Sequence, residues 1–356
     1  MKIKDVKVYS RDLGTSRPYT IAYKTVSEVL IAFVEIELEN GIIGIGASNS
    51  SKAVVGESVE ETLNHLSNVD FSYLIGQKIT QTEGLLRQTH DKFTTLPGTH
   101  AAIDIALHDA FTQFLKIPLV DYFGKQQQTL PTSITIGIKN IGETLSEAEE
   151  YYGMGFRFFK VKTGLNPVLD AERVIKIAER MPDVVLRVDA NQGYSTVDLN
   201  EFVKRTTKIK LELIEQPFST GDFIKHVNEL HPSIAQLVVA DESLKNPKDV
   251  LKLLKEAPGC NIFNIKLMKT GGLLVAKQIA YIAEASKVKL MWGCNDESVV
   301  SIAAALHLAL SSRSTKFLDL DGSLDLIKDV VTGGFLIKNG MMALTDKNGL
   351  GVQKIS

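Results

Sequence analysis

Cysteine is nearly absent: Cys260 and Cys294 are the only two in 356 residues. Two such distant cysteines make neither a disulfide framework nor a zinc site, and they predict a reduced, cytoplasmic setting. The seven histidines fall in no HxxH or HExxH spacing, so a histidine-based metal site is not expected. No stretch approaches the roughly 18 uninterrupted apolar residues that span a bilayer. The opening MKIKDVKVYS lacks the apolar centre of a signal peptide. An excess of one charge is lacking too. With 40 basic against 42 acidic residues and a net charge of −2, there is no basic field for nucleic acid, and the lysines of KNPKDVLKLLKE read as a solvated helix face. A soluble protein with neither nucleic-acid nor membrane partners is predicted.

What is present is patterned. A chain of this length, 44% hydrophobic, can bury one large core and one small one. Alternating runs near Lys2 to Ser10 and Glu28 to Glu39, followed by the hairpin-like ELENGIIGIG, predict a small meander. Helical periodicity takes over from Ser58 to about Leu115, with Ala102, Ile105, Ala106 and Ala110 at helical spacing. From about Ser133, strand-like and helical runs alternate through Asp319, as a parallel barrel requires. The strand ends fall near Ile138, Lys162, Asp189, Glu215, Asp241, Lys266, Cys294 and Asp321. The tail, VTGGFLIKNGMMALTDKNGLGV, reads as further strands joined by NG and NGLG turns.

Five of the first seven ends carry charge: Lys162 in FFKVK, Asp189 in LRVDANQ, Glu215 in ELIEQP, Asp241 in VVADES and Lys266 in FNIKLMKTGG. Their separation is one strand, one helix and two loops, the repeat of a (β/α) barrel whose strand ends open on a single face. Taken singly, an acid after a strand is more often a helix cap or a solvated loop residue. Five charges meeting at one mouth suggest chemistry. Acidic oxygens from three neighbouring strands suit a hard divalent cation. A carboxylate bound to it acquires an acidic α-proton, which an amine with a lowered pKa can remove. A lysine on each side allows removal from one face and return to the other, which is racemisation or epimerisation.

The KxK of Lys160 and Lys162, the DAN of Asp189 to Asn191, the EQP of Glu215 to Pro217, the ADES of Ala240 to Ser243 and NIKLMKTGG together resemble the enolase superfamily, in its muconate-cycloisomerase-like subgroup. The resemblance runs from the first strand to the last. It implies an α/β fold: a (β/α)7β modified TIM barrel at 126–325, an α+β capping domain at 1–125, and a segment at 326–356 that returns to the cap. It also implies one Mg²⁺ per subunit, held by Asp189, Glu215 and Asp241. Lys162 and Lys266 would be the acid/base pair, with Lys160 holding down the pKa of Lys162 as a like charge. Asn191 and Glu242 would orient the metal-binding carboxylates. No histidine falls at strands 6 or 7, so the His–Asp base of mandelate-racemase-type members is missing.

The run KFLDLDG places Asp319 and Asp321 two apart, on one side of a strand. Same-facing carboxylates repel unless a cation lies between them, and a substrate ammonium fits. The pair resembles that of dipeptide epimerases, which implies proton exchange at the α-carbon of the C-terminal residue of a dipeptide. Ser16 to Ser27 resembles the mobile loop that covers the barrel. Within it Lys24 stands where epimerases acting on Ala-Glu carry arginine. Lysine keeps the charge but loses bidentate geometry. L-Ala-L-Glu or L-Ala-D-Glu is therefore the favoured expectation, with hydrophobic or polar second residues also accepted; a solvated lysine is the alternative. The small polar run Ala47 to Ser51 resembles a second capping loop, and Cys294 and Asp296 are placed to contact the dipeptide. Thr135 in SITIGI either lines the pocket or is a simple strand threonine. An o-succinylbenzoate synthase, an N-acylamino acid racemase and a muconate cycloisomerase stay open as alternatives, although their substrates carry no free ammonium for the two aspartates. A catalytically inactive binding barrel also stays open, as does a homo-oligomer.

Overall fold

The computed structural model describes residues 1–16, 19–21, 24–26 and 28–355; for residues 19–21, 24–26 and 53 only the backbone is described. Strand β1 (Ile3–Asp12) is followed by a small hairpin, β2 (Tyr19–Ile21) and β3 (Lys24–Val26). Then come β4 (Leu30–Leu38) and β5 (Ile43–Ser48), which join β1 in an antiparallel meander ordered β1-β4-β5. The long helix Pro97–Leu115 lies against β4 and β5. The glycines of GIIGIG allow this approach, because a Cβ on Gly46 would lie 1.9 Å from the Ala102 carbonyl and one on Gly44 would lie 2.4 Å from that of Ala106. Ala102, Ala106 and Ala110 form the matching surface on the helix.

After β6 (Thr129–Pro131), eight parallel strands form one sheet in chain order: β7 (Ile134–Ile136), β8 (Phe158–Lys162), β9 (Val185–Asp189), β10 (Leu211–Glu215), β11 (Val238–Ala240), β12 (Ile262–Ile265), β13 (Lys289–Gly293) and β14 (Thr315–Asp319). Ser133 N donates to Leu318 O (3.0 Å) and Leu320 N to the Thr132 hydroxyl (2.9 Å), which draws the two edge strands into a ring. All eight strand ends read from the sequence fall within two residues of these. Helices fill the connections, and Asn140, Asn166, Ser195, Asn246 and Ser298 cap five of them with their side-chain oxygens. Leu213, Val239, Ile262, Met291 and Phe317 cluster together in the barrel interior, beneath the charged strand ends. Among the described residues, no helix is long and apolar enough to cross a membrane.

The tail forms β15 (Val331–Gly333), β16 (Phe335–Lys338), β17 (Met341–Leu344) and β18 (Val352–Lys354). These strands do not extend the meander. β15 pairs with β18, and β16 and β17 pair in a sheet with β6. The tail meets the N-terminal part through loops and side chains instead: Lys354 Nζ lies 2.8 Å from Glu35, and Leu350 N donates to Asp109 (2.9 Å). A second tie runs to the barrel. Asp104, fully buried on the long helix, accepts from the backbone of Leu273 (2.6 Å) and Leu274 (3.2 Å). A Cβ on Gly272 would lie 2.6 Å from this carboxylate, and Gly272 has φ +110°, so the TGG of the sequence is what lets the turn close on Asp104.

Asp109 is buried beneath Ile45 N, Leu350 N and Gln113, all of which donate to it. Burial nevertheless pushes its carboxyl up to about 6. The folded chain thus keeps a proton that the unfolded chain releases near the ordinary carboxylate value, and stability falls as pH rises through that window. The stability of the wild type relative to Asp109→Asn should drop by on the order of 2–3 kcal/mol between about pH 4 and about pH 7 in urea unfolding. A pH-independent difference would refute this assignment.

Candidate active site

Strand alternation builds the mouth. Lys160 and Lys162 point to one side of β8, and the register aligns Lys160 with Arg187 and Lys162 with Asp189, which in turn aligns with Glu215. Lys162 Nζ donates to Asp189 Oδ2 (2.7 Å) and Asn191 Oδ1 (2.9 Å). Glu215 Oε1 accepts from Asn264 (2.7 Å), and Lys266 Nζ lies 2.8 Å from Asp241 Oδ2. The five charged ends converge. Asp189, Glu215 and Asp241 are completely buried. The lysine-bearing strands β8 and β12 stand four places apart in a ring of eight, so Lys162 and Lys266 enter from opposite walls with the three carboxylate strands between them.

The electrostatics follow from that crowding. Burial, and then Asp189, push the Glu215 carboxyl up to about 8. Burial would raise Asp241 as well, but Lys266 and Lys269 hold it below the usual carboxylate range. Burial alone would lower Lys266, yet Asp241 and Glu215 outweigh it and raise the amine. This reverses the lowered amine expected for a proton-abstracting lysine. A divalent cation bound by these carboxylates would invert the local field. Lys160 is likewise raised. Burial opposes this, but the carboxylate of Asp319, ahead of those of Glu215 and Asp189, prevails.

Lys160 also reaches the DLD motif. It forms an ion pair with Asp319, which in addition accepts from Ser133 Oγ (2.7 Å). The cation beside Asp319 therefore comes from the chain itself. Asp321 accepts from the backbone amide of Thr135 (2.7 Å), and burial pushes its carboxyl up to about 6. Thr135 thus bears on the mouth through both its main chain and its side chain. Cys294 is not a free contact point: its Sγ donates to Asp319 O (3.3 Å) and accepts from Gly322 N (3.3 Å), tying β13 to the end of β14. The Ala47 to Ser51 run packs on the loop after β13, with Asn295 donating to Asn49 O (3.0 Å) and the Asn49 side chain to Asp296 O. Asp296 is half-buried there beside Glu297, whose carboxyl burial pushes up to about 7. Asn191 bridges Lys162 and Asp189. Glu242 is buried beside Asp241. The Lys24 side chain lies outside the described residues, as do five other positions in the loop segment from Ser16 to Ser27.

Four further residues belong to the site. Lys269 pairs with Asp241 Oδ1 and donates to Asn264 O (3.0 Å). Its signal lay in NIKLMKTGG, one helical turn after Lys266. Asn264 and Arg187 each stand two residues before a charged strand end and so share its face. Ser133 carried no signal.

Among the described residues, no three acidic, histidine or cysteine side chains converge as a ready-made cage for a metal; lysine amines stand between the three strand-end carboxylates. The donors nevertheless fit a hard divalent ion. Glu215 Oε2 and Glu242 Oε2 are buried and accept no hydrogen bond. Such orphan acceptors are costly, and a cation would answer them. Mg²⁺ at about 100 times its dissociation constant should stabilise the protein by about 2.7 kcal/mol, seen as a rise in melting temperature. Glu215→Gln should lose most of that rise, and an unchanged response would remove Glu215 from the metal site.

Comparison with known proteins accords with this geometry. The family "Mandelate racemase / muconate lactonizing enzyme, N-terminal domain" matches residues 4–124, and "Enolase C-terminal domain-like" matches residues 143–354. An L-Lys-D/L-Arg epimerase of Desulforapulum autotrophicum is 46% identical over all of both chains. A dipeptide epimerase from Methylococcus capsulatus, crystallised with Mg and the dipeptide L-Arg-D-Lys, superimposes with a TM-score of 0.96 at 41% identity over 99% of each chain. The L-Ala-D/L-Glu epimerase of Bacillus subtilis, in a substrate-liganded complex, gives 0.94 at 28% identity over 100% of both. Matched through both domains and along its whole length, the chain belongs to the dipeptide epimerase family of the enolase superfamily and is an isomerase acting on amino acid derivatives.

Proposed function

We propose that the protein is a Mg²⁺-dependent epimerase of cationic dipeptides, of the L-Lys-L-Arg kind, inverting the α-carbon of the C-terminal residue. One observation carries the substrate preference. Among the described residues of the mouth, Asp189, Glu215, Asp241, Glu242, Asp296, Glu297, Asp319 and Asp321 outnumber Lys160, Lys162, Lys266 and Lys269 by eight to four. A divalent cation and the substrate's own carboxylate still leave about three formal negative charges. An α-ammonium with two cationic side chains offsets them. L-Ala-L-Glu would add an anionic side chain instead, and the reason for favouring it was Lys24 alone. The named Desulforapulum and Methylococcus relatives support the cationic reading.

In this reading Asp189, Glu215 and Asp241 hold the metal. When bound, Mg²⁺ supplies a Lewis acid for the substrate carboxylate. Lys162 takes or gives the α-proton on one face, and Lys266 does so on the other. Asn191 fixes Lys162 against Asp189, Glu242 supports Asp241, and Lys160 sits one layer below Lys162. The carboxylates around the loop after β13 and at Asp321 receive the substrate's cationic groups.

Proton NMR in D₂O with Mg²⁺ tests the proposal directly. L-Lys-L-Arg should exchange its C-terminal α-proton and invert with kcat/KM at least about 10-fold above that for L-Ala-L-Glu, the scale of one charged contact. Lys162→Ala and Lys266→Ala should each abolish inversion, each retaining exchange for one configuration of the C-terminal residue. Faster turnover of L-Ala-L-Glu would sink the cationic preference, and no exchange on any dipeptide would sink the epimerase.

A further inference from the structure

Beside the mouth lies a buried polar cluster that the proposed chemistry leaves unused. Asp170 and Arg173 sit one turn apart on the helix Pro167–Arg180, which follows β8, and are only 2% and 3% exposed. A single nitrogen of Arg173, Nη2, donates both to Asp170 Oδ1 (2.6 Å) and to the main-chain carbonyl of Lys162 (2.9 Å). Pairing of β7 with β8 ends at Ile136 and Val161, one residue before Lys162. The carbonyl of the last residue of β8 is therefore met by a guanidinium.

The other oxygen of Asp170 accepts from Gly164 N (2.9 Å), Asn166 N (3.2 Å) and the Tyr194 hydroxyl (2.7 Å). Gly164 and Asn166 belong to the turn that leaves Lys162, and Tyr194 to the turn that leaves Asp189. These turns touch: Thr163 N donates to Asp189 O (2.8 Å), and a Cβ on Gly164 would lie 2.2 Å from Ala190 O. Gly164 has φ +104°, so the TG that follows the KxK suits this place and a larger residue does not. Lys162 is thus held at both ends, its amine by Asp189 and Asn191 and its carbonyl by Arg173. Asp170 joins the two turns that supply those contacts. Buried ion pairs contribute little net stability, so stability alone does not account for Asp170 and Arg173.

Lys266 is held differently. Its carbonyl accepts from the amides of Lys269 (2.9 Å) and Thr270 (3.1 Å) within its own turn, and Asp104 grips the exit of that turn. Among the described residues, no hydrogen bond of Asp170 or Arg173 reaches the Lys266 turn. We propose that Arg173, Asp170 and Tyr194 are positioning residues for one base only: they fix the backbone from which Lys162 projects and so govern proton transfer on that face of the substrate. This rests on the epimerase reading, in which Lys162 and Lys266 serve opposite faces. A general weakening of the fold would slow both faces alike, whereas loss of this cluster should slow one.

The test measures α-proton exchange of L-Lys-L-Arg and of L-Lys-D-Arg separately, in D₂O with saturating Mg²⁺. Lys162→Ala identifies the configuration whose exchange depends on Lys162. For that substrate Arg173→Met should lower kcat for exchange by about 10- to 100-fold, the scale of a misplacement of about 1 Å at a reacting group. Exchange of the other configuration should change by less than about 3-fold. Tyr194→Phe removes one hydroxyl and strands no cation. It should skew the two rates in the same direction by about 3- to 10-fold, and it carries the test if circular dichroism shows Arg173→Met to be unfolded. Equal slowing of both configurations, slowing of neither, or a skew against the Lys266 face would overturn the proposal. No exchange by the wild type, or a Lys162→Ala protein that exchanges both configurations or neither, would overturn the two-base epimerase reading and this proposal with it.

Discussion

Every feature of the mouth answers one constraint: carboxylates on three adjacent strands, all completely buried, have to be compensated by charge within a few ångströms. An isolated buried carboxylate is prohibitively costly, and several together repel one another as well. The chain meets this by alternation. Two alternate residues of β8, Lys160 and Lys162, are lysines, and the N-cap Lys266 and the internal Lys269 of the one-turn helix after β12 both pair with Asp241. What this leaves unanswered is confined to a few oxygens, notably Glu215 Oε2 and Glu242 Oε2. The arrangement is thus stable enough to fold and still unsatisfied enough to bind.

The barrel and its charged rim were legible because two independent periodicities agree. Strand and helix repeats set the spacing, and alternation set which residues share a face. The partner of each charge was not legible. Lys160 and Asp319 lie 159 positions apart on strands with β7 between them, and only ring closure brings them together. The two-residue spacing of Asp319 and Asp321 was visible in the sequence, while the ion pair between Asp319 and Lys160 was not. The raised amine of Lys266 was not legible either. The carboxylates facing Lys266 dominate its amine.

Residues that act through others were the hardest to find. Arg187 and Asn264 share a face with recognised strand ends, so alternation could have found them. Ser133 precedes its strand and has neither charge nor periodicity to mark it. The tail illustrates a different limit. Its strands and turns were clear from NG and NGLG, but their partners were not, and β17 pairs with the short β6 rather than with the meander. Pairing of short strands across more than 200 residues leaves little trace in local sequence.

The grip of Asp104 on the backbone of Leu273 and Leu274 has a mechanical meaning. Those amides begin the helix that follows the lysine-bearing turn of Lys266 and Lys269, so the long helix of the N-terminal part is tied to the wall that carries Lys266. A hinge between these two bodies would drag Lys266 off its carboxylate. Admission and release of a ligand must then be achieved by the loops around the rim, while the frame behind them keeps the spacing between the two amines constant through turnover.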